Sequence, residues 1–372
     1  MIVLPRWRLT AFILLVLLLT GCASTDTIRG QLNYDLRPEN ARPAVFWPPA
    51  PETPRYRYVG ELVGQPNFAK RSQVKDGLTT AFHWLVGLFE TSSEVFLQRP
   101  QHGAVSDSGR VYVVDTGRNA VLAFDPNPPA EDDAENQDGQ LLVWEKATKQ
   151  VRFAAPVAVA IVWEGDLAVS DSMLGAVLRL DKKGEPIGTI GVGELKRPTG
   201  LAFDAERGWL FVADTVAHDI KVFDAAGKLL HTLGAPGEGP GQFNAPTHLT
   251  FSGGHLYVSD TLNSRIQVFN PDGSWVREFG ERGLYVGNLM RPKGVAVGDA
   301  GITYVVESYY GHLLAFNGQS ELLLDITGSG LKGGEFRLPS GAWTDKQGRL
   351  FIADMFNGRV VVFQYIHQSG AS

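Results

Sequence analysis

Two histidines, His102 and His248, each stand two residues after a proline, in Pro100-Gln101-His102 and Pro246-Thr247-His248. Imidazole ligates metals and exchanges protons near neutral pH, so a pair in matched surroundings is a candidate for metal-assisted chemistry. A pair is nonetheless fewer ligands than a metal site normally uses, and structural histidines are the plainer reading. Six acids also recur in matched surroundings: Asp115, Asp171, Asp214, Asp260, Glu307 and Asp354. Each closes a short apolar run just before a turn. They form either a charged ring or six copies of one local device, a carboxylate accepting backbone N–H bonds in the loop that follows. Other catalytic signatures are missing from the sequence. There is no Gly-x-Ser-x-Gly elbow and no His-Glu-x-x-His. The glycine-rich stretch Gly234–Gly241 lacks the lysine and the following helix of a phosphate-binding loop.

The only cysteine, Cys22, ends a basic and then apolar opening: Arg6 and Arg8, the run Leu9–Leu19, then Leu19-Thr20-Gly21-Cys22. That run is short of the roughly 20 apolar residues a bilayer span needs and has the length of a secretory signal core. It resembles the lipobox of bacterial lipoproteins, as against an ordinary signal peptide or an uncleaved anchor with a chance cysteine. The resemblance implies cleavage of residues 1–21, acylation of Cys22, and a lipid-anchored protein of the cell envelope. Ala23, in place of an aspartate, implies the outer membrane, facing the periplasm. The lipid on Cys22 is then the one covalent group expected, with no cofactor beyond it. Removing residues 1–21 takes away Arg6 and Arg8 and no acid, so the formal charge moves from −6 to −8. An acidic domain of this kind lacks the basic footprint of a nucleic-acid binder.

The elements that must position these residues are repeats. Prolines 100, 156, 198, 246, 292 and 339 open six units spaced 42 to 56 residues apart, and self-similarity at such a period marks a repeat architecture. In one unit, Pro246–Phe251, His255–Asp260, Arg265–Phe269 and Ser274–Phe279 read as four strands separated by Gly, Pro and Asp turns. Four antiparallel strands make one propeller blade. With its recurring acid followed by Thr or Ser, as in Asp260-Thr261-Leu262-Asn263-Ser264-Arg265, the chain resembles NHL repeats over residues 99–364. The resemblance implies an all-β, six-bladed β-propeller. The last unit stops after its third strand, and the alternating segment at residues 55–63 is expected to supply the fourth and close the ring at residues 359–366.

The expected organisation is therefore a lipoprotein signal peptide (1–21), a lipidated Pro-rich tether (22–54), the propeller (55–366) and a short tail (367–372). Two insertions interrupt it. Asn127–Gly139 is acidic and reads as a solvated loop, with calcium binding as the alternative. Leu78, Ala81, Phe82, Leu85, Leu88 and Phe89 share one stripe at helical spacing, which predicts a helix over residues 77–90.

Alternating strand direction puts the loop after each second strand, the start of each first strand and the connector between blades on one face. On it, the second residue after the acid is Met173, Val216, Leu262, Tyr309 or Phe356 in five blades. With Tyr310, and with Trp84 on the helix, these residues form a candidate partner surface, unless the helix simply covers it. NHL-type propellers are mainly binding platforms for proteins or glycans. Related six-bladed propellers include amidating lyases, gluconolactonase-like hydrolases and strictosidine synthase-like proteins. The expected function is a membrane-tethered periplasmic binding or scaffold protein with a protein or glycan partner. The alternative is a metal-assisted lyase or hydrolase centred on His102 and His248.

Overall fold

The computed structural model describes residues 28–37, 44–69, 94–128, 138–298, 301–328, 330 and 334–366. Six antiparallel sheets succeed one another along the chain, and their innermost strands pack side by side around a central channel. Blade two shows the plan: Pro156–Ile161, Leu167–Asp171, Ala176–Leu180 and Pro186–Ile190, in that order from the channel outward. The protein is a six-bladed β-propeller, as the repeats predict.

Burial follows position within a blade. Second and third strands, such as Val111–Asp115 and Ala120–Asp125, are buried at every residue because both faces of each blade pack on a neighbouring blade. Their sequences accordingly read as continuous apolar runs. Outer strands such as Trp275–Phe279 are largely exposed. The core thus lies between blades. Phe211 of blade three stacks on Phe251 of blade four, with ring centroids 5.7 Å apart and planes 9° from parallel.

Ring closure occurs where the sequence places it. Tyr56–Leu62 pairs antiparallel with Arg359–Tyr365, with Glu61 opposite Val361 and Tyr56 opposite Tyr365. Arg359 locks the seam. Its guanidinium donates to Asp354 at 2.9 Å, to Glu61 at 2.8 Å and to the Glu335 carbonyl at 2.8 Å.

The stretch expected to be a tether is corrected in part. Ile28–Leu32 forms a further strand outside blade one, with Ile28 opposite Leu141 and Gly30 opposite Gly139, and Phe68–Ala69 pairs along its other edge. Phe46–Trp47 pairs with Tyr56–Leu62 on blade six. Apolar burial drives this docking: Ile28, Leu32 and Tyr34 pack on the core of blades one and six, and Trp47 meets Phe363 edge-on at 5.3 Å. The expected helix at 77–90 with Trp84, the signal peptide with Cys22, and the tail lie outside the described residues, as do residues 129–137 of the acidic insertion.

Candidate binding face and central channel

The six recurring acids are buried and serve the backbone. Asp171 accepts from the amides of Ala154 and Ala155, just before the blade-opening Pro156, and from those of Met173 and Leu174 in the loop after it, at 2.7 to 3.1 Å. Glu307 takes the amides of Arg291, Tyr309 and Tyr310 in the same way. The carboxylate therefore ties two loops together, where the sequence pointed only to the second of them. In blade three Lys221 joins the knot on Asp214, and in blades four and six an arginine does, Arg265 on Asp260 and Arg359 on Asp354. Burial pushes the pKa of Asp260 and Asp354 up, against the opposing amides and guanidinium.

With its backbone pinned, the loop after each acid can turn an apolar side chain outward. Met173 is 76% exposed and Tyr309 59%, and Val216, Leu262 and Phe356 are each at least half exposed. Of the positions named from sequence, Trp84 lies outside the described residues and the others are brought to one face, Tyr310 alone without its side chain fully exposed. Tyr310 is half-buried, its ring edge-on to Tyr309 at 4.9 Å. Sequence reasoning missed a second set in the connector between blades four and five, where Leu284, Tyr285 and Val286 are 78%, 85% and 60% exposed. The signal was present in Gly283-Leu284-Tyr285-Val286-Gly287, an apolar triplet framed by glycines where a polar loop is the norm.

Beneath this face the channel narrows at the residues two after each proline. Glycine is required at three of these positions. A Cβ on Gly200, Gly294 or Gly341 would lie 2.4 to 2.6 Å from backbone of the next blade. His102 and His248, from opposite blades, fill the space left at the centre with ring centroids 6.3 Å apart.

Their protonation states follow from their partners. Thr261 donates its only hydroxyl proton to the Pro292 carbonyl, so Thr247 must donate to Thr261, and His248 Nδ1 donates to Thr247. His248 Nε2, buried and without a partner, is then a bare lone pair. His102 Nδ1 is likewise buried and without a partner, and the ring's hydrogen bond goes to the Val159 carbonyl. Burial lowers the pKa of His102 to about 4, against the raising effect of that bond. It also holds His248 well below its ordinary value, helped by nearby Lys293 and by His102. Both rings are neutral at physiological pH.

Among the described residues no group of three or more His, Cys, Asp and Glu is placed to hold a metal ion. Below the histidines a cavity of about 330 Å³, lined by Gly103, Val159, Leu201, Phe251 and Trp343 among others, reaches the opposite face.

No protein-family model matches the chain, and no curated protein matches it. Solved structures do. A virginiamycin B lyase from Staphylococcus aureus is 16% identical with a TM-score of 0.52, over 72% of this chain and 96% of that one. Auxiliary nutrient binding proteins from Bacteroides thetaiotaomicron and Bacteroides ovatus are 12% and 14% identical, with TM-scores of 0.55 and 0.53. Each of these two matches covers 73% of this chain and 70% of the other. The likeness is one of fold.

Proposed function

We propose that this protein is a binding or scaffold protein of the cell envelope, anchored by lipid on Cys22, whose propeller holds a partner on its apolar face. The observation that carries the reading is the repetition of one device. In blade after blade a buried acid fixes a loop and the loop presents an apolar side chain to solvent, as at Met173, Leu262, Tyr309 and Phe356. Large apolar side chains presented on one face in blade after blade are costly to leave in water, which favours an interaction site there. The nutrient-binding neighbours favour the same reading. Ala23 after the acylated cysteine favours the outer membrane, with the propeller in the periplasm.

The test is capture from solubilised envelope with the full-length protein, beside a variant carrying Tyr309→Ala, Tyr310→Ala and Phe356→Ala. The reading expects a partner held by the wild type and lost by the variant. Equal capture by both contradicts it.

The second reading, metal-assisted lyase or hydrolase chemistry, draws on the two bare imidazole nitrogens in the channel and on the lyase neighbours. Two neutral ligands fall short of the three or four that a zinc site uses. Stoichiometric metal in the purified protein, lost with His102→Ala, would support this reading over the first.

A further inference from the structure

The partner of the apolar face follows from where the lipid anchor must emerge. The fourth strand of blade one, Gly139–Trp144, runs toward the apolar face. Ile28–Leu32 is antiparallel to it, so the chain traced back from Ile28 climbs toward that same face. Only residues 23–27 separate Ile28 from Cys22. At about 3.5 Å per residue, Cys22 lies within roughly 20 Å of Ile28. About half of that is consumed in reaching the rim at the level of Trp144, three residues beyond Leu141, at about 3.4 Å each. The proline-rich stretch that would have served as a spacer follows Ile28 and is partly paired onto blades one and six. An acyl-anchored Cys22 therefore draws the apolar face down to the bilayer.

Two properties of that face match a lipid surface. It exposes large apolar side chains: Met173, Val192, Leu284, Tyr285, Val286 and Tyr309. Tyrosine has the amphipathic ring that suits the headgroup level. Its connectors are also basic, although the protein as a whole is acidic. Lys146, Lys149, Lys196, Arg197, Arg291 and Arg337 are exposed there, and cations outnumber the exposed acids Glu94, Glu194, Glu238 and Glu281. At the opposite end the exposed turns are close to balanced, with Asp107, Glu164, Glu185, Glu206, Asp272 and Glu321 beside Lys182, Lys183, Arg207, Lys228 and Lys346. The acidic insertion between Asn127 and Gly139 leaves from and returns to that end. Anionic headgroups attract the first arrangement more than the second.

We infer that the apolar, basic face docks on an anionic phospholipid surface, with Leu284–Val286, Met173 and Tyr309 in the headgroup region. This rests on the lipid-anchored binding reading above and names the partner of its face. The acyl chains supply the affinity, since several chains anchor where one does not; the face sets the orientation. The cavity below His102 and His248 then opens away from the membrane, toward solvent.

Cys22 is the only cysteine, so once it is acylated an introduced thiol is the sole labelling site. Full-length acylated protein is placed in phosphatidylethanolamine–phosphatidylglycerol vesicles with a fluorophore at Met173→Cys, Tyr285→Cys or, on the opposite face, Gln319→Cys. Spin-labelled phospholipid is expected to quench the first two several-fold more than the third. Adding Lys196→Glu and Arg197→Glu is expected to reduce that difference. Equal quenching on both faces, or stronger quenching from position 319, overturns the inference. Failure of the underlying reading looks different. A mature chain without acyl mass removes both proposals. Equal quenching, with a protein still captured by the wild type and lost on Leu284→Asp, leaves the binding reading standing and removes the lipid.

Discussion

Ile28 lies opposite Leu141 in an antiparallel pair that adds a strand to the outside of blade one. This single register decides which way the chain leaves the propeller toward Cys22, and so which face the proposed lipid anchor would bring to the membrane. It also changes the meaning of the proline-rich stretch. That segment is in part a strap across blades one and six and does not hold the domain at a distance.

The ring itself closes on Arg359, which is buried and bridges Asp354 and Glu61 across the seam. Replacing it with leucine leaves Asp354 buried without its cation, held only by the Arg337 amide and the Asn357 side chain, a change that costs about 3 kcal/mol. Denaturant unfolding of Arg359→Leu checks this. A loss under about 1 kcal/mol would show that pairing alone, without the ion bridge, holds the ring shut.

The acid of each second strand is predicted to matter equally in blades without a cation. Asp171→Ala removes the acceptor for four backbone amides at once, those of Ala154, Ala155, Met173 and Leu174. Stranding even part of these amides costs about 3 kcal/mol. Hydrogen exchange should rise at Ala155 and Leu174 before the rest of blade two responds, and protection unchanged at those amides would contradict the role assigned to Asp171.

Glycines in the channel ring are predicted to be intolerant. A Cβ at Gly294 would sit 2.4 Å from the Ala342 nitrogen and at Gly341 2.4 Å from the Gln101 carbonyl oxygen, whereas at Gly188 it meets nothing within 4 Å. Gly294→Ala and Gly341→Ala should each lose about 1–3 kcal/mol by overpacking. Gly188→Ala, in an exposed outer strand, should be neutral or slightly stabilising. Thermal melts of the three variants decide it.

The buried histidines set a pH dependence with a definite sign. His102 takes up its second ring proton only near pH 4 when folded, against about 6.5 when unfolded, and the pKa of His248 is lowered as well. Between these values the unfolded chain binds more protons, so stability falls as pH drops from 6.5 toward 4 and is flat above 6.5 on their account. The His102 shift corresponds to about 3 kcal/mol over that window. His102→Gln should flatten the slope of stability against pH. Nitrogen chemical shifts should also show the proton on Nε2 of His102 and on Nδ1 of His248.

What the sequence disclosed depended on repetition. The proline and the acid recur because every blade performs the same two backbone tasks, and six copies make the register visible. The closing strand was legible from a deficit, three strands in the last unit and an unpaired alternating segment upstream. Ile28–Leu32 was not, because five residues ahead of the prolines have no periodic signal and find their place only once Gly139–Trp144 offers an open edge. The exposed residues after each acid were legible for the same reason as the acids. Leu284–Val286 occurs in one connector only, and nothing repeats to draw attention to it. The tautomers of His102 and His248 depend on Thr247, Thr261 and Val159, residues that only the fold brings together.

The central claim is that the face bearing Met173 and Tyr309 is the working surface of an envelope-anchored protein. The most direct measurement places a photoreactive phenylalanine analogue at Met173, at Tyr309 or at Gln319 in cells and identifies the adducts after irradiation of intact envelope. The account predicts adducts from Met173 and Tyr309, carrying phospholipid or a discrete protein, and few from Gln319. Adducts in equal yield from all three positions, or from Gln319 alone, would contradict it.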